Sequence, residues 1–156
     1  VDDINEELIR EFHAIDNYLT GILLRFTDSQ VEYVNACHPD LLVKRAKTGN
    51  VFVVKPRDRE IQGKLFGKDV FTDPFEILNF TVEKGDTMLL LTDGLVDCLD
   101  SKKERYDFER LLGTFRKAPG ETAEEIKSYI MNDVDNFIGE TPRPDDITFI
   151  VMKRLT

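Results

Sequence analysis

Two stretches of this chain place an aspartate at the end of an apolar run. Asp93 follows Thr87-Met88-Leu89-Leu90-Leu91-Thr92 and precedes Gly94, which permits a tight turn or a close backbone approach. Asp145 and Asp146 stand immediately before Ile147-Thr148-Phe149-Ile150-Val151-Met152. Carboxylates at the rims of a sheet are held rigidly and can be aimed at one point. Hard, oxygen-preferring cations such as Mg²⁺ and Mn²⁺ need that arrangement, because several carboxylates offset the ionic charge while water completes the octahedron. Singly, each stretch has a plainer reading. Asp-Gly after a strand is usually a turn, and Asp-Asp before one is usually a cap or a solvated loop. The two sites lie about fifty residues apart, so spacing does not choose between the readings.

The other reactive side chains are fewer. His38 is one of two histidines. It would act as a general acid only with reach to a leaving oxygen, and fastening the turn around Ala36-Cys37-His38-Pro39 is the reading the sequence favours. His13 reads as an ordinary residue of an N-terminal helix. Cys98 has no histidine base beside it, which gives a cysteine nucleophile little support. Arg143 has the fork to bind a phosphate, yet between two prolines it reads as a solvated loop residue. The acids from Glu121 to Glu125 read as a helix start.

The elements that must position these residues follow from periodicity. Ile4, Leu8, Phe12, Ile15 and Leu19 recur at three- or four-residue spacing, which predicts an amphipathic helix ending at Gly21. Strands are predicted at 22–26, 31–36, 41–45 and 51–54, joined by tight turns as an antiparallel meander. From Pro56 to Pro74 the texture is that of a connecting loop, with one structured piece near Leu65-Phe66. A strand is predicted over 76–82. The near-continuous apolar run 87–91 predicts a strand buried on both faces. A short helical turn should follow at 95–99, then a helix carrying Phe108, Leu111, Leu112 and Phe115. Another helix carries Ile126, Tyr129, Ile130, Val134 and Phe137 up to a stop at Gly139, and the last strand covers 147–152. The order of elements implies an α+β, layered architecture in a single domain.

Composition narrows the class. The chain has 156 residues, 41% hydrophobic and 33% charged, the balance of one globular domain. Its formal net charge of −9, from 21 Lys+Arg against 30 Asp+Glu, repels phosphate backbones and argues against a nucleic-acid partner. No apolar run reaches the ~20 residues of a membrane span. With two cysteines in no metal-binding pattern, a reduced cytoplasmic setting is the simpler expectation.

Four segments, in order, resemble the SpoIIE/RsbU branch of the PPM-type metal-dependent serine/threonine phosphatases. Asn35-Ala36-Cys37-His38-Pro39 is similar to the family's Ala-Gly-His-Pro, and Gly63-Lys64-Leu65-Phe66-Gly67 sits where it has a Gly-x-Pro-Leu-Gly loop. The run from Gly85-Asp86 through Thr92-Asp93-Gly94 to Asp97 looks like its Gly-Asp, apolar strand, Thr-Asp-Gly and following acid. Pro144-Asp145-Asp146-Ile147-Thr148 resembles its closing Asp-Asp-Ile-Thr. The resemblance implies a β-sandwich flanked by helices, with two Mn²⁺ or Mg²⁺ ions activating water against a phosphoserine or phosphothreonine. It implies Asp93 and Asp145 as metal ligands, Gly94 as the permissive turn residue, and Asp146 as a loop-shaping residue that sequence does not fully separate from Asp145. It also implies a phosphoserine-bearing regulatory protein as substrate, such as an anti-sigma-factor antagonist, and control by an upstream sensory or receiver domain.

Two departures qualify the likeness. The family carries a Gly-Asp motif followed by an aromatic and another Asp on a strand near the domain's start, and this sequence has none, so the domain is expected to lack its first strands and a ligand. Cys37 stands where the family has Gly. The competing expectation is a module that keeps the fold and binds a partner without turnover. A missing sheet edge would also favour pairing of two copies as a homodimer.

Overall fold

The computed structural model describes residues 2–12, 17–55, 65–68 and 75–156. Along these residues the elements are α1 (Asp2–Phe12), β1 (Gly21–Thr27), β2 (Gln30–Ala36), β3 (Leu41–Lys44), β4 (Val51–Val54), β5 (Leu78–Thr81), β6 (Thr87–Leu91), α2 (Asp93–Val96), α3 (Phe108–Lys117), α4 (Ala123–Ile138) and β7 (Phe149–Lys153). The strands form two antiparallel sheets, β1-β2-β5 and β4-β3-β6-β7. The α+β class expected from the sequence is the one observed. The simple meander is not: β2 and β3, adjacent in sequence, belong to different sheets. Cys37-His38-Pro39-Asp40 ends one hairpin, and Pro39 cannot supply a ladder N–H.

The chain divides into two compact units, residues 1–38 with 55–81, and residues 39–54 with 82–156. In the first, β1 and β2 pair from Gly21↔Ala36 to Thr27↔Gln30, which leaves Asp28 and Ser29 as a two-residue loop with Asp28 at φ 52°. β5 pairs on the far side of β2. A small core gathers Val34, Ala36, Phe66 and Phe75, with Leu8 of α1 and Leu23 packed against it.

The helix predicted through Leu19 is described only to Phe12. Ile15 and His13 lie outside the described residues, and Leu19 is extended rather than helical. Leu19 and Phe66 exchange both backbone hydrogen bonds at 3.0 Å, an isolated antiparallel bridge. A tertiary backbone partner has overridden the helical spacing there. Gly67, at φ 80°, donates its N–H to Asn5, and a β-carbon on it would lie 2.4 Å from the Phe12 ring.

The second unit holds the main core. Leu42, Leu89, Leu91, Leu95, Tyr106, Leu111, Phe115, Ile126, Ile130 and Val134 are all at most 2% exposed. Apolar residues at helical spacing on α3 and α4 bury one stripe of each, and alternate residues of β3 and β6 supply the sheet side. β6 is the buried strand its composition predicts, between β3 and β7. α4 starts with a capping box in which Thr122 accepts from the Glu125 amide and Glu125 accepts from the Thr122 amide. It stops at Gly139, φ 56°. Lys44 reaches the open end of α3, donating to the carbonyls of Phe115 (3.2 Å) and Ala118 (2.8 Å), where a cation also meets the negative end of the helix dipole.

Candidate metal centre

β6 and β7 pair from Thr87↔Lys153 to Leu91↔Phe149, so the next residues, Thr92 and Thr148, face each other where the ladder ends. Thr92 donates its backbone N–H to the Thr148 carbonyl at 2.9 Å. Beyond this rung the two chains diverge into the aspartate-bearing segments. Asp93 is the first residue of α2, and Asp145 and Asp146 lie in the loop leading to β7. Two sites about fifty residues apart in sequence therefore meet at one end of one sheet.

Gly94 is what lets them meet. A β-carbon built on it would lie 2.2 Å from the Asp146 carbonyl oxygen, 3.1 Å from the Asp146 carbonyl carbon and 3.7 Å from Asp145 Cβ. No side chain fits in that gap, so glycine is required here for space rather than for an unusual φ. Asp93, Asp145 and Asp146 are exposed while Gly94 is buried beneath them. The Asp146 amide donates to Asp145 Oδ1 at 2.7 Å, which fixes the Asp145 carboxylate against its own loop. On the other side, Asp97 donates its amide to the Asp93 carbonyl (2.9 Å), and the buried Cys98 thiol donates to the Gly94 carbonyl (3.2 Å). Burial pushes the Cys98 thiol up, away from thiolate chemistry. Arg143 pairs with Asp135 of α4 at 2.7 Å and so ties the loop before Asp145 to a helix.

The donor set suits a hard cation, being anionic oxygen on two turns in contact through backbone. It is not a full cage. Among the described residues there is no group of three or more His, Cys, Asp or Glu side chains that could hold a metal.

His38 belongs to the other unit, after β2. Its turn is fastened by Asn35, whose Oδ1 accepts from the His38 amide (2.8 Å) and whose Nδ2 donates to the His38 carbonyl (2.9 Å). The His38 ring lies 3.2 Å from the Thr20 hydroxyl. Cys37 takes φ 52°, the left-handed conformation that a glycine at this position would adopt without strain. Gly63 and Lys64 of the second resembling segment lie outside the described residues.

One acid has a role that sequence reasoning missed. Asp86 is 2% exposed and accepts from Arg45 (2.6 Å) and from the amides of Ala46 (2.8 Å) and Glu83 (2.9 Å). Its own carbonyl accepts from the Arg154 amide at 3.0 Å. The carboxylate thus joins the turn after β3 to the turn before β6, and the backbone carbonyl of the same residue adds the end of β7. Burial alone would raise the Asp86 carboxyl, but the two amides and the guanidinium hold it below the usual carboxylate range. The sequence marked it only as the acid of a Gly-Asp turn at Gly85, which the family resemblance includes, and nothing there announces Arg45.

The family model for stage II sporulation protein E (SpoIIE) matches residues 1–155. The chain belongs to this family, on the SpoIIE/RsbU-like branch of the PPM-type protein phosphatases. None of the curated proteins matches the sequence. Among solved structures, the SiaA-PP2C domain of Pseudomonas aeruginosa is similar at 18% identity and a TM-score of 0.74, covering 96% of this chain and 57% of that one. The RsbU and RsbW domains of a Mycobacterium tuberculosis protein match at 20% identity and TM-score 0.70, over 96% of this chain and 40% of that one. The catalytic domain of the serine/threonine phosphatase PstP, in complex with two manganese ions, matches at 14% identity and TM-score 0.64, over 97% of this chain and 67% of that one. At such identities the likeness is one of fold, and this chain spans about half the length of the first two. Among the described residues no helix is long and apolar enough to cross a membrane.

Proposed function

We propose that this chain forms the larger part of a Mn²⁺- or Mg²⁺-dependent protein-serine/threonine phosphatase domain, with Asp93 and Asp145 as two of its metal ligands. The observation that carries the reading is the contact of Gly94 with the Asp145-Asp146 backbone, which brings both acids to one end of the β6-β7 pair. Asp146 shapes the loop, its amide engaging Asp145 and its carbonyl meeting Gly94. Bound there, divalent cations supply a lowered water pKa and positive charge against the phosphoryl oxygens. The chain's own part is to hold two carboxylates at fixed spacing on backbone that the sheet keeps rigid. The Gly-Asp-aromatic-x-Asp pattern that carries a further acid in the family is not among these 156 residues. The substrate is a phosphoserine on a small regulatory protein, and control comes from a sensory or receiver domain of the parent chain.

A second reading, partner binding without turnover, is favoured by the lack of the Gly-Asp-aromatic-x-Asp motif in this sequence. One experiment separates the two. The parent protein is incubated with a phosphoserine peptide and Mn²⁺, and phosphate release is followed. Release that is abolished by Asp93→Asn or by chelation supports the phosphatase; a parent protein that binds the phosphopeptide without releasing phosphate supports the second reading.

A further inference from the structure

Where β6 gives way to α2, the Thr92–Thr148 pair keeps both rungs of an antiparallel ladder in an altered form. In an ordinary hydrogen-bonded pair, two facing residues exchange N–H and C=O in both directions. Here the first rung is standard, Thr92 N–H to Thr148 C=O at 2.9 Å. In the second, the Thr148 N–H donates to the Thr92 hydroxyl at 3.2 Å. The Thr92 carbonyl, which would take that bond in a continuing strand, accepts instead from the Leu95 amide of α2 at 3.3 Å. The hydroxyl also donates back to the Thr148 carbonyl at 3.2 Å. Thr92 occupies the N-cap position of α2, yet its side chain makes no cap hydrogen bond to that helix. The hydroxyl commonly spent on capping is spent across the sheet instead.

We infer that Thr92 is a positioning residue: its hydroxyl stands in for a ladder carbonyl, so that the chain can turn into α2 at Asp93 without releasing the strand that leads back to Asp145. The next residue after Thr92 is Asp93, and three residues before Thr148 is Asp145, so the latch sets the spacing of the two acids. Its relevance to catalysis rests on the reading of Asp93 and Asp145 as metal ligands; its mechanical part does not. The chemistry asks for a hydroxyl that both donates and accepts, which serine retains and valine, of nearly the same shape as threonine, lacks.

The test compares Thr92→Val and Thr92→Ser in the 156-residue chain, with amide hydrogen exchange at residues 145–148 and Mn²⁺ binding followed by electron paramagnetic resonance. Thr92→Val is expected to speed exchange of the Thr148 amide roughly 3- to 10-fold, the loss of one hydrogen bond. It is also expected to weaken Mn²⁺ binding at least roughly tenfold, as loss of a supporting residue does at a metal site. Thr92→Ser restores both. Unchanged exchange at Thr148 in Thr92→Val, or a Thr92→Ser variant that behaves like valine, overturns the latch. Should the wild-type chain and both variants all fail to bind Mn²⁺ while exchange follows the expected pattern, the latch stands and the metal reading falls.

Discussion

Gly94 and Asp146 stand so close that a β-carbon on the glycine would lie 2.2 Å from the aspartate's carbonyl oxygen. That approach joins the two acid-bearing turns, and it makes the smallest possible substitution informative. Gly94→Ala must push the loop before β7 away from α2. Over-packing of this kind costs about 1–3 kcal/mol, to be read as a lower thermal midpoint, and Mn²⁺ binding should weaken with it. An alanine variant of unchanged stability and unchanged metal affinity would mean that the two turns move apart freely.

Asp86 makes the fold sensitive to acid. Its folded-state pKa is depressed, so its contribution is fully present above the ordinary carboxylate value near 3.8 and is lost as pH falls through the lower folded value. Asp133 titrates in the same direction: burial would raise it, but hydrogen bonds from the Tyr106 and Thr114 hydroxyls and the charge of Arg110 hold it down. Denaturation at a series of pH values should therefore show stability dropping below about pH 4 in the wild-type chain. Asp86→Asn should lose about 2–4 kcal/mol at neutral pH, because the buried charge-assisted bond between Asp86 and Arg45 is lost, and should show a shallower acid limb. An equally steep limb in the variant would assign the acid sensitivity elsewhere.

Cys37 holds a left-handed backbone at φ 52° that costs an L-residue about 1–2 kcal/mol. Cys37→Gly removes that strain but adds unfolded-state entropy of about 0.4–1 kcal/mol. The balance is a gain of about 0.5–1 kcal/mol, or a rise of roughly 2–3 °C in thermal midpoint. A fall in midpoint would show that the cysteine side chain contributes more than its backbone costs.

The core of the second unit should respond as a close-packed interior does. Leu89 is 0% exposed on the central strand β6. Leu89→Ala is expected to cost about 2–5 kcal/mol, measured by urea unfolding. A cost below 1 kcal/mol would mean that β6 is not held as tightly as its burial implies.

Much of this was legible in the residues. Local patterns predicted β1 to β4, the buried strand β6, and the helices α3 and α4 to within a few residues, because each carries its own periodicity and turn signals. Leu19 was misplaced for a physical reason: helical spacing says nothing of a backbone partner at Phe66, far along the chain. The split of the strands between two sheets was hidden likewise, since pairing β3 with β6 is a long-range choice. At the candidate site, the residues taken singly showed Asp93 and Asp145 only as separate turns, and it was the family resemblance that paired them as ligands. What joins them is a backbone contact at Gly94 and a hydroxyl at Thr92, and a contact distance leaves no mark on composition. Asp86 was hidden for the same reason, its meaning lying in Arg45 and two amides of other turns.

The most direct test of the metal site is Mn²⁺ titration, followed by electron paramagnetic resonance, of the wild-type chain, Asp93→Asn and Asp145→Asn. Weak binding by the wild-type chain that falls roughly tenfold or more in each variant, with folding intact by circular dichroism, is the result expected if both aspartates hold the ion. Binding of equal strength in all three proteins would contradict it.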